Sequence, residues 1–285
     1  MSTANPTATL PEPNAFQRWF AGLSPKWLIT LMITLILVVA QFQVDLLSSY
    51  WILPATIGAA VGTELFLSGF VRGRLANVQS AYISGVSMTI LTKPQQDYLW
   101  PFVLGAAISI ASKYALTYRG RHLWNPTNFG ISIMLIAAPG SVAVLSTQFD
   151  NSIWPVLVIW SVGLLVASRA RILHVTFTYL AAFIAFTGLR AGITGDSFLS
   201  EIAPLTGPMY QLFLLFMITD PATTVRSKRG RILVAIAIAA LDNGIRLIDE
   251  LPTTTPFHVL LEAPPIFALA ILGPIAKWWD LHRNG

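Results

Sequence analysis

The chain has 285 residues, 54% of them hydrophobic and only 11% charged, with a mean hydropathy of +0.64 and a formal charge of +5. A soluble domain carries about 25% charged residues, so the composition argues against a soluble enzyme or globule and for a helical membrane protein. There is no cysteine, which excludes disulfides and Cys-ligated zinc or iron–sulfur clusters within the chain.

Residues 1–25 are polar and proline-rich and lack the pattern of a signal peptide. They read as a disordered cytoplasmic tail, with Phe16, Arg18, Trp19 and Phe20 at the interface. Ten apolar segments follow, at roughly 27–44, 50–70, 78–92, 98–117, 126–146, 153–168, 171–189, 204–219, 230–248 and 256–279, each near the ~20 residues of a spanning helix or shorter. The third and eighth are the weakest. The third carries Gln79, Ser80, Ser84, Ser87 and Thr89, so it is expected to be buried among other helices or broken.

Loop charges alternate along this series. Fourteen bases fall on one side: Arg18, Lys26, Arg72, Arg74, Arg119, Arg121, Arg169, Arg171, Arg226, Lys228, Arg229, Arg231, Lys277 and Arg283. Three fall on the other: Lys93, Arg190 and Arg246. The positive-inside rule then predicts about ten transmembrane helices, a multi-pass protein of the bacterial inner membrane with both termini cytoplasmic. The bases are accounted for by the lipid bilayer, with no nucleic-acid partner.

The two halves resemble each other. Ile90–Gln95 is similar to Met217–Ala222, and Trp124–Thr127 to Thr254–Phe257. Repeats of about 26–147 and 152–281, each with five helices, would be inverted relative to each other. The fold class is therefore all-α, a polytopic membrane domain over 26–285 in two inverted five-helix repeats, an architecture that places sites where broken helices meet. Prolines 94 and 221 end their helices and free backbone groups that lipid cannot satisfy. Thr92, Thr219, Thr223 and Thr224 are candidates to satisfy them.

The stretch Phe216–Arg231, FMITDPATTVRSKRGR, carries a resemblance. Its Phe-Met-Ile-Thr-Asp-Pro-Ala-Thr-Thr and the following Arg229-Gly230-Arg231 are similar to the signature of the NqrB/RnfD family, integral subunits of the sodium-pumping NADH:quinone reductase and of the Rnf electron-transport complex. Supporting matches are His122–Gly130 with its Asn125-Pro126, the Ile245-Arg246 pair, and Leu272–Ile275 followed by Asp280. The resemblance implies electron transport with redox partner subunits, at most a membrane redox subunit rather than a free-standing enzyme. Redox members hold FMN on the threonine of an S-G-A-T motif between helices five and six. Residues 139–154 hold Ser146-Thr147 but no such motif, which argues against covalent FMN and for a noncovalent flavin, FMN or riboflavin, or a quinone. The chain looks closest to the compact, unflavinylated, enediyne-cluster-associated (UnbU-like) branch.

The candidate cofactor-binding residues are Thr219, Asp220, Thr223, Thr224, Arg226, Asn125 and Thr92. Asp220 is read either as a cap of its turn or as part of an anion pocket with Arg226, Lys228 and Arg229, suited to phosphate. His122 is read either as an anion contact or as an interfacial histidine. The buried charges are Asp242, Arg246, Lys113 and Glu64. Asp242 lies about 18 Å into its helix and is read either as paired with Arg246 at i+4 or as handling a proton, ion or substrate. Lys113, at the repeat-related position, is expected to pair with Asp242, and Glu64 with Arg72 or Arg74. Dispersed histidines predict no metal site. A transporter of a small aromatic or anionic molecule is the alternative that the repeats and buried charges leave open.

Overall fold

A computed structural model describes residues 14, 22, 24–93, 98–139, 143–144, 153–250 and 258–284. Most of the tail, the loop with Ser146 and Thr147, Pro94 and residues 254–257 lie outside the described residues.

Each of the ten apolar segments contains a helix: α1 Pro25–Val44, α2 Ile52–Arg72, α3 Gln79–Leu91, α4 Trp100–Ala115, α5 Pro126–Ala137, α6 Ile153–Arg169, α7 Leu173–Thr194, α9 Pro208–Leu212, α10 Lys228–Glu250 and α12 Pro264–Asn284. Two short helices, α8 Phe198–Ile202 and α11 His258–Glu262, join them. This is an all-α membrane protein. Lys26–Gln43, Ile52–Arg72 and Leu173–Thr194 are long and apolar enough to cross a membrane. Leu31, Leu35, Val38 and Phe42 project outward at helical spacing on α1, as do Phe66 and Phe70 on α2 and Leu189 and Ile193 on α7. Outward apolar side chains are what a lipid-facing surface requires.

The two weak segments become the centre. α3 buries Ala81, Ser84–Val86 and Met88–Leu91. α9 passes into a π-helical turn, Phe213–Met217, whose Phe213, Leu214 and Leu215 are fully buried. Their polarity and brevity forbid a lipid-exposed position, so neighbouring helices enclose them. In lipid such enclosure rests on close packing rather than on water exclusion. Glycines permit it. A Cβ on Gly163 of α6 would lie 2.6 Å from Leu215, and one on Gly130 of α5 would lie 2.7 Å from the Gly105 carbonyl of α4.

Several helix contacts recur along the chain. α2 packs on α4 as α7 packs on α10, α4 on α5 as α10 on α12, and α1 on α3 as α6 on α9. In addition, α1 packs on α6 and α5 on α12. Left-handed glycines cap α2 and α7, Gly73 at φ 64° and Gly195 at φ 83°.

Two features depart from the apolar-segment reading. The fifth helix ends at Ala137 rather than near 146, and beyond it β4 (Ala143–Val144) pairs antiparallel with β1 (Thr92–Lys93). The polar link between α4 and α5 is a hairpin of β2 (Thr117–Tyr118) and β3 (Arg121–His122). Its turn puts both Arg119 and Gly120 at positive φ.

Candidate functional site

A cavity of about 660 Å³ lies between α1, α3, α5, α6 and the end of α9. Its mouth is built from the start of α1 (Ser24, Lys26), the start of α3 (Ser80), the end of α4 (Lys113), the start of α5 (His122, Asn125–Thr127), the α6–α7 turn (Arg169, Ala170, Ile172) and the chain after α9 (Phe216, Met217, Thr219–Ala222). These are the connections that the charge alternation puts on the basic side. The walls behind are mostly apolar, from Leu28, Ile29, Ile33, Ile83, Ile90, Leu91, Leu212 and Leu215. The volume is that of a small-molecule site, about 300–1,000 Å³.

The two signature stretches meet at the mouth. Pro126 opens α5, and the Asn125 side chain caps it by accepting from Asn128 N–H at 3.1 Å. The Asn125 amide donates to the Asp220 carboxylate at 3.2 Å. Asp220 also accepts from Ala222 N–H and from the Thr223 hydroxyl, both at 3.0 Å. Thr219 donates to the Leu215 carbonyl at 2.7 Å, and Thr224 donates to the Asp220 carbonyl. Helix α12 braces this clasp: Trp124 Nε1 donates to the Ala270 carbonyl at 2.9 Å, Asn128 Nδ2 to the Ile266 carbonyl at 2.9 Å, and Lys277 Nζ to the Thr224 carbonyl at 2.7 Å.

The sequence-predicted residues therefore separate. Asn125, Thr219 and Asp220 line the cavity. Thr223 and Thr224 turn to Asp220, and Arg226 pairs with Asp280 at 3.3 Å. Asp220 thus caps the turn that follows it, and the Thr223 and Thr224 hydroxyls donate to it. Thr92 closes the far end of α3 by donating to the Met88 carbonyl at 2.6 Å, about 18 Å along the axis from Ser80, and lies outside the cavity wall. His122 does line the cavity. Burial pushes its pKa below the ordinary histidine range, and the Asp220 charge opposes that shift.

The buried charges form two clusters. Asp242 and Arg246 pair at i+4, at 3.2 Å, as the spacing predicts. Asp242 also accepts from Tyr179 at 2.5 Å and Tyr210 at 3.0 Å, and Arg246 donates to Tyr210. The expected pairing of Lys113 with Asp242 is not made. Lys113 instead bonds to Glu64 and, at 2.7 Å, to Ser80. Glu64 accepts Tyr114 as well at 2.7 Å, while Arg72 sits over the Tyr114 ring at 4.7 Å. Neither Arg72 nor Arg74 is the partner of Glu64, because α4 packs on α2 and brings Lys113 to it first. No group of residues able to hold a metal ion occurs among the described residues.

Sequence reasoning missed Tyr179 and Tyr210, which look like ordinary aromatic residues in apolar segments. It noted the serines of α3 without seeing that Ser80, Ser84 and Ser87 share one face. Their i, i+4, i+7 spacing was the available signal.

An α-helical membrane domain with a small-molecule cavity between α3 and the π-helical end of α9 is the class that this geometry defines. The family model for "NQR2, RnfD, RnfE family" matches residues 147–264. A curated relative from Shewanella sediminis (strain HAW-EB3), one of the subunits of its ion-translocating oxidoreductase complex, is 24% identical over 188 residues, covering 62% of this chain and 53% of the relative. The chain thus spans about half the length of the curated relative it matches. Both matches bear out the resemblance read from the signature stretches: the chain is similar to the NqrB/RnfD family over residues 147–264.

Proposed function

We propose that the chain is an integral membrane subunit of an electron-transfer complex of the ion-translocating oxidoreductase kind. In this reading it holds a noncovalent flavin or a quinone in the cavity and exchanges electrons with partner subunits. The observation that carries this is the Asn125–Asp220 hydrogen bond, which joins both signature stretches in the wall of one cavity.

The residues fit a planar ring system. The slot is largely apolar, and the hydroxyls of Ser84, Ser87 and Thr127 face it with no protein partner among the described residues. A bound flavin or quinone supplies the electron-accepting chemistry, which no side chain here can. The protein orients the ring, excludes lipid and water from its faces, and sets Lys113, His122 and Asp220 near its polar end. With no S-G-A-T motif in the sequence, the attachment is noncovalent.

Ten spans, two inverted five-helix halves and cytoplasmic termini belong to the same proposal. The recurring order of helix pairing supports the halves. The gathering of basic connections around one cavity mouth supports the orientation. A cavity open at one end also suits a carrier of a small aromatic or anionic molecule.

Acid precipitation of the purified protein tests the redox reading. Flavin absorbance, or extractable quinone, should pass to the supernatant or organic phase. A protein that releases neither, yet drives uptake in proteoliposomes, would favour the carrier.

A further inference from the structure

Away from the cavity, one end of the molecule carries arginines that no acid answers. The β2–β3 hairpin packs against the last turn of α12. Arg119 Nη1 donates to the Leu281 carbonyl at 2.8 Å, and the Tyr118 hydroxyl meets His282 Nδ1 at 3.3 Å. Arg119, Arg121 and Arg283 are exposed and form no ion pair with any described residue. The acid on that turn of α12, Asp280, is buried and pairs with Arg226.

The hairpin holds one of these cations at a conformational cost. Its two-residue turn needs positive φ at both positions, which favours Asn-Gly or Gly-Gly. Arg119 takes the first position at φ 50°, an uncommon conformation for a residue with a side chain. The Leu281 carbonyl uses one N–H of a guanidinium that has five, so donors remain for a second acceptor. Strand register pairs Arg121 with Tyr118 and puts both on one face. Tyr118 meets Trp278 at a ring distance of 6.3 Å, and Arg283 lies over Trp279 at 4.9 Å. The three arginines therefore edge two exposed tryptophans.

The same face of α12 continues as apolar surface. Ile271 and Ile275 are exposed at i and i+4, ahead of Trp278 and Trp279 at i+7 and i+8. Along the helix the order is aliphatic, aromatic, basic. Ile271 to Arg283 spans about 18 Å, against about 15 Å for the hydrocarbon of one leaflet. The indoles fall at the headgroup boundary, where such rings settle, and the arginines lie just beyond, at the depth of lipid phosphates.

We propose that this face binds an anionic phospholipid of the leaflet on the basic side. The acyl chains lie along Ile271 and Ile275, and Arg119, Arg121 and Arg283 hold the phosphate. Charge selects the lipid. A zwitterionic headgroup carries its own ammonium and brings no net charge to the three arginines, whereas phosphatidylglycerol does. Arginine forks match phosphate oxygens in pairs, and basic clusters beside transmembrane helices attract anionic lipids.

Tryptophan quenching tests this. The full chain is reconstituted in phosphatidylcholine vesicles with a minor fraction of brominated phosphatidylglycerol or, in parallel, of brominated phosphatidylcholine. The brominated phosphatidylglycerol should quench more. That excess should vanish in Trp278→Phe/Trp279→Phe and shrink in high salt. Arg121→Gln/Arg283→Gln, which keeps the Arg119–Leu281 hydrogen bond, should lower the preference about fivefold per arginine. Lysine at both positions should retain most of it. Arg283→Gln alone carries the test if the double variant does not fold. Added glycerol phosphate should leave the excess unchanged, and displacement by it would assign the site to a soluble anion instead. Equal quenching by the two lipids would leave the face to unselective lipid or a protein partner and overturn the proposal. So would an excess that survives either the arginine or the tryptophan substitutions.

Discussion

Two pairs of packed helices, α2 with α4 and α7 with α10, each bury an acid, and the two acids have different surroundings. In the first pair Glu64 of α2 meets Lys113 of α4, and Lys113 lines the cavity. In the second pair Asp242 of α10 meets Tyr179 of α7, Tyr210 and Arg246. Phe183 and Phe213 pack on those tyrosine rings at centroid distances of 5.3–6.1 Å, and Asp242 has no exposed surface. An ionisable group deep in a membrane protein is by default a functional candidate. Here the useful distinction is access. The Asp242 cluster is satisfied from all sides and acts as a polar lock between α7, α9 and α10, whereas Lys113 presents a charge to a space that a ligand can enter.

Substitutions break this comparison in graded ways. Asp242→Asn leaves Arg246 without its counter-charge and should destabilise the protein by about 3–5 kcal/mol, read as a large fall in melting temperature in detergent. Adding Arg246→Met should recover much of the loss, since a packed apolar replacement can match a buried pair. Lys113→Met should cost less, about 1–3 kcal/mol, because Glu64 retains Tyr114. Unlike a compensated change at Asp242, it should also alter ligand affinity. Asp220→Ala removes the acceptor for Asn125, Ala222 and Thr223 and should cost about 1–2 kcal/mol, while abolishing ligand retention by releasing the mouth of the cavity.

The smallest effect is that of pH on His122. The neighbouring charged groups are Asp220, which favours the protonated ring, and Lys113, Lys277 and Arg72, which disfavour it. Burial dominates and holds its pKa below that of the unfolded chain, near 6.5. Below that value the unfolded state binds more protons, so this contribution to stability is present above pH ~6.5 and is lost as pH falls beneath it. Wild type should lose a little more thermal stability than His122→Gln between pH 7.5 and 5.5. Equal losses would show that another group carries the acid sensitivity.

Much of the fold was legible because lipid imposes strong rules. Apolar runs located the helices, and the polar composition of Gln79–Leu91 required a buried position, which α3 occupies. The i+4 spacing of Asp242 and Arg246 gave their pairing directly, since it depends only on local helical geometry. Partners set by tertiary packing were not legible. Lys113 goes to Glu64 because α2 and α4 pack together, and nothing local encodes that choice. The end of α5 at Ala137 was missed because hydropathy continues past it while the chain turns to pair with Thr92–Lys93. The Asn125 and Asp220 stretches were both recognised as motifs. Their hydrogen bond, across 95 residues, needed the structure.

The most direct test of the account is the amount of noncovalent chromophore per polypeptide in monodisperse wild-type, Asp220→Ala and Asp242→Asn/Arg246→Met protein, measured after acid precipitation. The account predicts release from the wild type, a similar ratio from the Asp242/Arg246 variant, and little or none from Asp220→Ala. A colourless wild type, or an Asp220→Ala protein that keeps its chromophore, would contradict it.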